Sequence, residues 1–502
     1  MAPRTTGFLL IVFSLLSAGQ QAMQWRVPVL KLPFIVGSTA GYYVAALLLF
    51  LGILLVRKGR DWNFSPLTLK KLHRFRAIRR GYASFLILLA LAGIASLDSL
   101  IVGKRALVVS YQGHWSFPFA REVIPGTAFG LGYDGETDYR DLQNKFRQEK
   151  KGDWVLMPLV PYAPSLDSPP TVETLEFRDS KLYRIGASKP FDGIAYSVFA
   201  SKPEQKRQEF QFRKGLRHGD FRGWNDINEQ VEKGRYENGA RTAYSDFTHG
   251  KAATLENLAH PEWKRAVYPP SPPSARHRHY LGTNTTGVDV LAMLYGGWQQ
   301  ALAAALLFVT LVFVAGVLVG GTLGFFGGWV DMLGQRLIEI WAVIPFLFVV
   351  MIISSVISPT LVVLVAILGM FGWMSTTSYL RTATFKEKQR DYVAAARLLG
   401  ASTPRLIFHH VLPNVVAILV TLAPFEVAGV ITALAALDFL GFGLPPDEPS
   451  WGRLLHEGVD NFAYPWIVSS AFAAMAFVLV LVTFVGEAVR EAFDPKKFTT
   501  YE

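Results

Sequence analysis

The chain of 502 residues contains no cysteine. Disulfides, thiolate metal sites and cysteine nucleophiles are therefore excluded. No G-x-x-x-x-G-K-[ST] run occurs either, so nothing here can cradle nucleotide phosphates in the manner of a P-loop. Gly320, Gly321, Gly324, Gly327 and Gly328 lie close together, but no Lys-Ser/Thr follows them. A G-x-S-x-G nucleophile motif is also missing, and hydrolytic chemistry is not expected. Charge is sparse, at 18% of residues against 51% hydrophobic. Acid is especially scarce near the start. Nine Lys/Arg fall between Arg57 and Arg80 (Arg57, Lys58, Arg60, Lys70, Lys71, Arg74, Arg76, Arg79 and Arg80), and Asp61 alone opposes them.

What is present is apolar sequence in blocks. Runs near 20 residues with few charges are candidate membrane spans. They fall at 34–56, 82–102, 299–325, 336–357, 361–380, 415–437 and 466–486. A shorter run, 7–18, ends in SAGQQA and reads as a signal or anchor, or as one short extra span. The basic cluster at 57–80 lies between two spans, so it marks a cytoplasmic loop and a surface suited to anionic lipid. The net charge of +11 thus points to the bilayer and not to nucleic acid. Alternation then places 103–298 and 438–465 outside, with 326–335, 381–414 and the C-terminus inside. Arg381, Lys386, Lys388, Arg390, Arg397 and Arg405 make the second of these inner loops basic too, an independent sign of the same orientation.

A loop of nearly 200 residues is a domain. Its first part, 103–169, is aromatic and rich in turns. Its second, about 171–262, reads as short strands with glycine turns. Phe191-Asp-Gly193, Phe212-Arg-Lys-Gly215, Tyr236-Glu-Asn-Gly239 and Phe247-Thr-His-Gly250 form a weak repeat. Tyr-Glu-Asn-Gly is a hairpin-turn composition, and the pattern resembles MORN-type repeats. The Pro-rich stretch 268–280 is a stiff linker back to the membrane. The expected fold is an all-α polytopic membrane protein with six core spans, one or two more before them in residues 1–60, and a β-rich insert.

The most informative segment is DYVAAARLLGASTPRLIFHHVLPN, residues 391–414. It reads as a helix from Asp391, a break at Gly400, a second short helix, and a stop at Leu412-Pro413. Ala394, Ala395 and Ala396 permit close approach to a groove. A short helix joined rigidly to two spans transmits mechanical force, so this polar interruption is a candidate grip for another protein.

The spacing of Ala395, Ala396, Gly400, Leu412 and Pro413 resembles the EAA coupling loop of ABC importer permeases. YLGTNTTGVDVLAMLYGG (280–297), FFGGWVDMLGQRLIEIW (325–341) and LDFLGFGLPPDEPSWGRLL (437–455) resemble the dipeptide and oligopeptide branch. GFGLPP and the tail GEAVREAFDPKK (486–497) look most like the microcin C/oligopeptide type. The resemblance covers about 70–165 and 275–497. Ala394 stands where the EAA motif has Glu, and Val288 where Arg is usual. Residues 1–60 and 171–262 match no part of the pattern.

The resemblance implies a transport subunit of the bacterial inner membrane that is not itself an enzyme. It also implies a second, homologous permease and two cytoplasmic ATPase subunits that bind the ATP and Mg. These would grip the loop at Asp391, Ala394–Ala396, Gly400, His410, Leu412 and Pro413. A periplasmic solute-binding protein would dock outside, and the solutes would be peptides or peptide-like. The chain itself would hold no cofactor and no metal. A rival reading is a membrane-anchored receptor that uses the insert.

Other candidates stand apart from the loop. Glu426 sits mid-span, where an ionisable group usually faces a cavity or a partner. It either lines the translocation path and meets a substrate amine, or is a hydrogen-bonded structural group. Gly316, Gly320, Gly324 and Gly328 recur every four residues, the pattern of close helix packing. The contact is either a sliding one against the partner permease or a static one. His277 and His279 could share a strand face, but two histidines without further ligands are expected to be exposed.

Overall fold

The structure is a computed structural model. It describes residues 3–493 except 24, 26, 28, 35–37, 59–65, 121–122, 150, 166, 168–170, 185–187, 200–201, 226, 228, 247–262, 268 and 358. The fourth aromatic-x-x-Gly repeat at 247–250, Arg60 and Asp61 of the basic cluster, and residues 494–502 lie outside the described residues. The chain divides into two compact units. One comprises residues 1–167, 272–284 and 288–502. The other comprises 168–271 with 285–287.

The first unit is built on helices. α1 (Pro3–Ala22) and α2 (Ser38–Lys58) pack on each other. Gly7 and Gly52 bring the backbones close, since a Cβ on Gly7 would sit 2.7 Å from the Gly52 carbonyl oxygen. Ser14 donates to the Ala45 carbonyl, 2.5 Å away. The run at 7–18 is thus the middle of a helix long and apolar enough to cross a membrane. α3 (Pro66–Ala77) then meets α4 (Arg79–Ser96) at 94°. The expected span 82–102 is this α4. It ends early, because Asp98 takes a positive φ and pairs with Lys31 at 2.7 Å.

The segment after α4 folds against the same unit. β1 (Val108–Tyr111), β2 (His114–Ser116) and β3 (Trp154–Leu156) form a small sheet in the order β2-β1-β3, and α5 (Tyr139–Glu149) covers it. Val109, Phe129, Tyr139, Leu142 and Phe146 make its core. Val102, Val160 and Tyr162 pack on Ala292 and so bind it to the helices. The stretch 103–298 is therefore not one domain. Residues 103–167, 272–284 and 288–298 cluster with the helical unit, and only 168–271 with 285–287 are separate.

That second unit is an eight-stranded antiparallel sheet. Its strands are β4 (Thr171–Arg178), β5 (Lys181–Arg184), β6 (Gly193–Phe199), β7 (Lys202–Arg213), β8 (Leu216–Trp224), β9 (Gln230–Glu237), β10 (Ala240–Asp246) and β11 (Trp263–Val267). The order is β10-β9-β8-β7-β6-β11-β4-β5. Two repeat glycines sit where a two-residue hairpin needs positive φ at both positions. Lys214-Gly215 have φ of 49° and 77°, and Asn238-Gly239 have 46° and 90°. The aromatic residues of the repeat form the core. Phe210 stacks on Phe221 at 4.9 Å, and Phe191, Phe212 and Tyr236 pack around them. β11 extends past the expected insert boundary at 262 and fills the gap between β6 and β4.

The remaining helices complete the first unit. They are α6 (Val290–Phe326), α7 (Gly328–Ala342), α8 (Phe346–Val356), α9 (Leu361–Glu387), α10 (Asp391–Leu398), α11 (Thr403–Arg405), α12 (Leu412–Phe439), α13 (Trp451–Asp460) and α14 (Pro465–Phe493). Five helices of the described residues are long and apolar enough to cross a membrane, and up to seven if the bent pairs α3–α4 and α7–α8 each count as one. The expected single span 336–357 is the second of these pairs, bent by 65°. Pro345 lacks the N–H a helix needs and disfavours helical geometry at Ile344 before it. α6 begins at Val290, nine residues before the expected span. Asp289 caps it by accepting from the Ala292 N–H at 2.8 Å.

α6 and α9 meet through glycine. A Cβ on Gly316 would lie 2.7 Å from Thr376 Cγ2, one on Gly320 2.5 Å from the Thr377 carbonyl oxygen, and one on Gly324 2.4 Å from the Arg381 carbonyl oxygen. The stripe packs against this chain's own α9. Gly328 does not belong to it. It lies past the turn at Gly327, and no atom comes within 4 Å of an added Cβ. Gly320→Val should cost about 1–3 kcal/mol of overpacking and sharply lower the yield of monodisperse protein in size-exclusion chromatography. Gly321→Ala, with open space around its Cβ, should leave that yield unchanged.

Candidate functional site

The segment 391–414 projects from the joint between α9 and α12. α10 turns Val393 inward, where it is 1% exposed among Phe325, Leu380, Leu406, Val411, Val415 and Leu419. Ala396 is half-buried against the same cluster, while Asp391, Ala394 and Ala395 are exposed. Asp391 occupies the first turn, where a negative charge complements the helix dipole. At the far end Leu398 and Leu399 are 89% and 88% exposed. Two adjacent leucines are thus left uncovered at the tip of this helix.

Gly400 closes α10 with φ of 84°. Its N–H reaches the Arg397 carbonyl, and the Ala401 N–H reaches the Ala396 carbonyl, both at 3.0 Å. These are the paired bonds of a Schellman cap, which requires a left-handed residue at that position. Two exposed alanines and two exposed leucines are thus presented on a rigid, sharply terminated helix.

Pro413 does not stop the second helix. α11 runs through a π-helical stretch, Leu406–Val411, directly into α12. Pro413 stands in the first turn of α12, where proline is tolerated. The carbonyl of His410 accepts from Asn414 Nδ2 at 3.0 Å, and the Tyr392 hydroxyl oxygen lies 3.1 Å from it. The Tyr392 hydroxyl donates to Glu387 Oε1 at 2.6 Å and accepts from Asn414 Nδ2 at 2.8 Å. Tyr392 thereby joins α10 to the end of α9 and the start of α12. Burial, and then the carboxylate of Glu387, raise its pKa above the usual tyrosine value. The sequence reading passed over this residue. Its signal was a tyrosine five residues after a glutamate and beside an otherwise small-residue face.

Two further ties hold the same end together. Arg381 grips Asp331 through Nε and Nη2, linking α9 to α7. Lys388 Nζ donates to the Phe325 carbonyl at 2.8 Å, covering the last turn of α6. Burial, with Arg397 nearby, lowers the Lys388 pKa. The base of α10 is therefore tied, through the end of α9, to α6, α7 and α12.

The other candidates are placed elsewhere. Glu426 accepts from Thr376 Oγ1 at 3.1 Å, linking α12 to α9 within the helical unit. His279 is 1% exposed and not solvated as expected. Its Nδ1 lies 2.8 Å from Asp289 Oδ2, and its ring stacks on Tyr162 at 4.0 Å. It serves the cap of α6. His409 and His410 rings lie 6.5 Å apart, and no group of three potential metal ligands occurs among the described residues. The GFGLPP segment is a pinned loop. Asp438 accepts from the Leu444 N–H at 2.6 Å and the Ser450 hydroxyl at 2.5 Å, while Arg453 donates to the carbonyls of Leu444, Pro445, Pro446 and Glu448.

Comparison with known proteins agrees with this arrangement. Residues 313–499 match the family described as "Binding-protein-dependent transport system inner membrane component". The chain is 32% identical over 435 residues to the inner membrane ABC transporter permease protein YejE of Escherichia coli K12, covering 87% of this chain and 99% of that one. It is 31% identical over 445 residues to the peptidoglycan transport system permease protein YejE of Agrobacterium fabrum, covering 88% and 96%. The oligopeptide transport system permease protein OppC of Mycobacterium bovis is 33% identical over 221 residues, covering 43% and 76%. A match to 87% of the chain leaves too few residues outside it for both 1–60 and 171–262 to be without counterpart, as the motifs alone suggested.

Tyr392→Phe removes a hydroxyl that donates to Glu387 and accepts from Asn414. Hydrogen exchange of the 391–414 backbone amides should rise several-fold relative to the wild-type chain, with exchange in α14 unchanged.

Proposed function

The chain belongs to the inner-membrane permeases of ABC transporters, and from that premise we propose that it is the pathway subunit of an importer for peptides or peptide-like solutes. The observation that carries this reading is α10, a rigid helix ending in exposed Leu398 and Leu399 and tied to four other helices. Two ATPase subunits bind ATP and Mg and hydrolyse the nucleotide. α10 and the following turn, from Asp391 through Ala394–Ala396 and Gly400 to His410, Leu412 and Pro413, dock in them. A second, related permease completes the pathway. A solute-binding protein delivers cargo to the outer side, where residues 103–167 and the sheet of residues 171–267 face the periplasm. The names of the relatives support the solute class, since they include an oligopeptide and a peptidoglycan system.

In this mechanism nucleotide-driven closure of the ATPases displaces α10. Tyr392, Lys388 and the Arg381–Asp331 pair carry that displacement into the ends of the spans. α6 and α9 move as one body, a reading supported by their close glycine contact. Glu426 faces the path, with one carboxylate oxygen oriented by Thr376 and the other left to meet a substrate amine. The receptor alternative is not favoured, as the relatives are permeases over nearly their whole lengths.

Affinity purification of the chain from its own membranes tests the assembly and should recover one further permease and an ATPase. Replacing Leu398 and Leu399 together by Asp should lose the ATPase while the chain remains in the membrane. Retention of the ATPase would refute the docking site. Gly400→Pro, which cannot adopt the positive φ, should abolish uptake without preventing insertion. Glu426→Gln should alter the range of peptides taken up at normal protein level; an unchanged range removes that role.

A further inference from the structure

α7 is bounded by a break at each end. At its start Gly327 takes φ of 67° with ψ of −159°, a conformation open in practice to glycine alone. Gly328 follows with φ of 55°, and a Cβ added there would meet no atom within 4 Å. At its far end Pro345 parts α7 from α8, and the two helices differ in direction by 65°. A few residues at the ends of an element, able to absorb changes in φ and ψ, are what a hinge needs.

Between these breaks α7 buries little. Ile338 is its one buried residue among the described residues, whereas buried residues recur along the whole of α6. α8 is anchored differently. Val350 is 0% exposed in a cluster with Phe308, Leu361, Leu364 and Leu434, and the Phe346 ring meets Phe371 at 5.4 Å. A segment with few buried apolar contacts is the one that moves at least cost. Against α6, α7 rests where Gly334 faces the tip of the Leu323 side chain. Two polar contacts fasten it to α9, one near each break. Asp331 is held by Arg381 Nε and Nη2, with side chains 17% and 33% exposed. Trp341 Nε1 donates to the Met370 carbonyl at 2.9 Å. An ion pair within reach of water opens easily.

We propose that α7 is a hinged strap, swinging from α9 about Gly327–Gly328 and Pro345, with Asp331–Arg381 and Trp341–Met370 as its latches. α6 and α9, packed through glycine, and α8, packed through Val350, keep their places. Arg381 stands on the stretch of α9 that leads to α10, so one latch lies on the route proposed for force. The swing itself depends neither on that route nor on the solute carried.

The absence of cysteine makes the test direct. Leu337 on α7 and Tyr379 on α9 are 69% and 60% exposed and are replaced together by Cys and spin-labelled. The distance distribution is measured in the full chain, reconstituted in nanodiscs with the subunits that copurify. Asp331→Asn should add a second, longer population, and Asp331→Asn with Trp341→Phe should make it the major one. Labels at Met351→Cys on α8 and Val362→Cys on α9 should report one unchanged distance in every variant. A wild-type distribution as broad as that of the double variant, or no change in the double variant, refutes the latches. An equal shift of the α8 label refutes independent movement of α7. Amide exchange within α7 should stay as in the wild type; a several-fold rise would show that α7 unravels instead of swinging, and overturns the hinge.

Discussion

Everything at the basic end of the helical unit depends on the approach of α6 to α9. Three glycines one turn apart remove the side chains that would hold the two backbones apart, and α9 presents Thr376, Thr377 and the Arg381 backbone in their place. In a bilayer, where apolar burial drives little helix association, such close packing is a main source of cohesion. With α6 held this close to α9, the Phe325 carbonyl lies within reach of Lys388, and α7 starts where Asp331 meets Arg381. α10 then emerges from a framework already locked.

The segment 391–414 adds rigidity of a different kind. Its caps are local: the Schellman bonds at Gly400 need only the residues around it. Its attachment is not local. The Tyr392 hydroxyl bridges Glu387 and Asn414, 27 residues apart in the chain, and stands beside the His410 carbonyl that Asn414 also reaches. A short helix with few buried side chains would otherwise fray, and a frayed helix absorbs force instead of passing it on. The buried anchor Val393 and this hydroxyl together fix both the position and the angle of α10.

The strand unit is organised by other means. Where aromatic-x-x-Gly closes a hairpin, as at Gly215 and Gly239, both turn residues have positive φ. The pattern does not say which strands lie next to each other when they are distant in sequence. β11 enters the sheet between β6 and β4, and β4 and β5 are placed at one edge as a result. That insertion depends on shape and backbone pairing across roughly 70 to 90 residues, which no turn signal encodes.

Some of this protein follows from the sequence alone, because the physics involved is local or additive. Apolar runs must leave water, so the spans were legible apart from their ends. The nine-to-one excess of Lys/Arg over acid at 57–80 orients them, and Gly400 had to be a break because only glycine occupies its φ at no cost. The rest was decided by contacts between distant residues. Only the tertiary structure turned Pro413 from a stop into part of a continuous helix, which runs from the π-helical stretch Leu406–Val411 into α12. It also bent the span at Pro345, enclosed His279 against Asp289 and Tyr162, and assigned the glycine stripe to this chain's own α9. Periodicity shows that a face must be covered, but not what covers it; the covering residue is selected by where the chain returns in space.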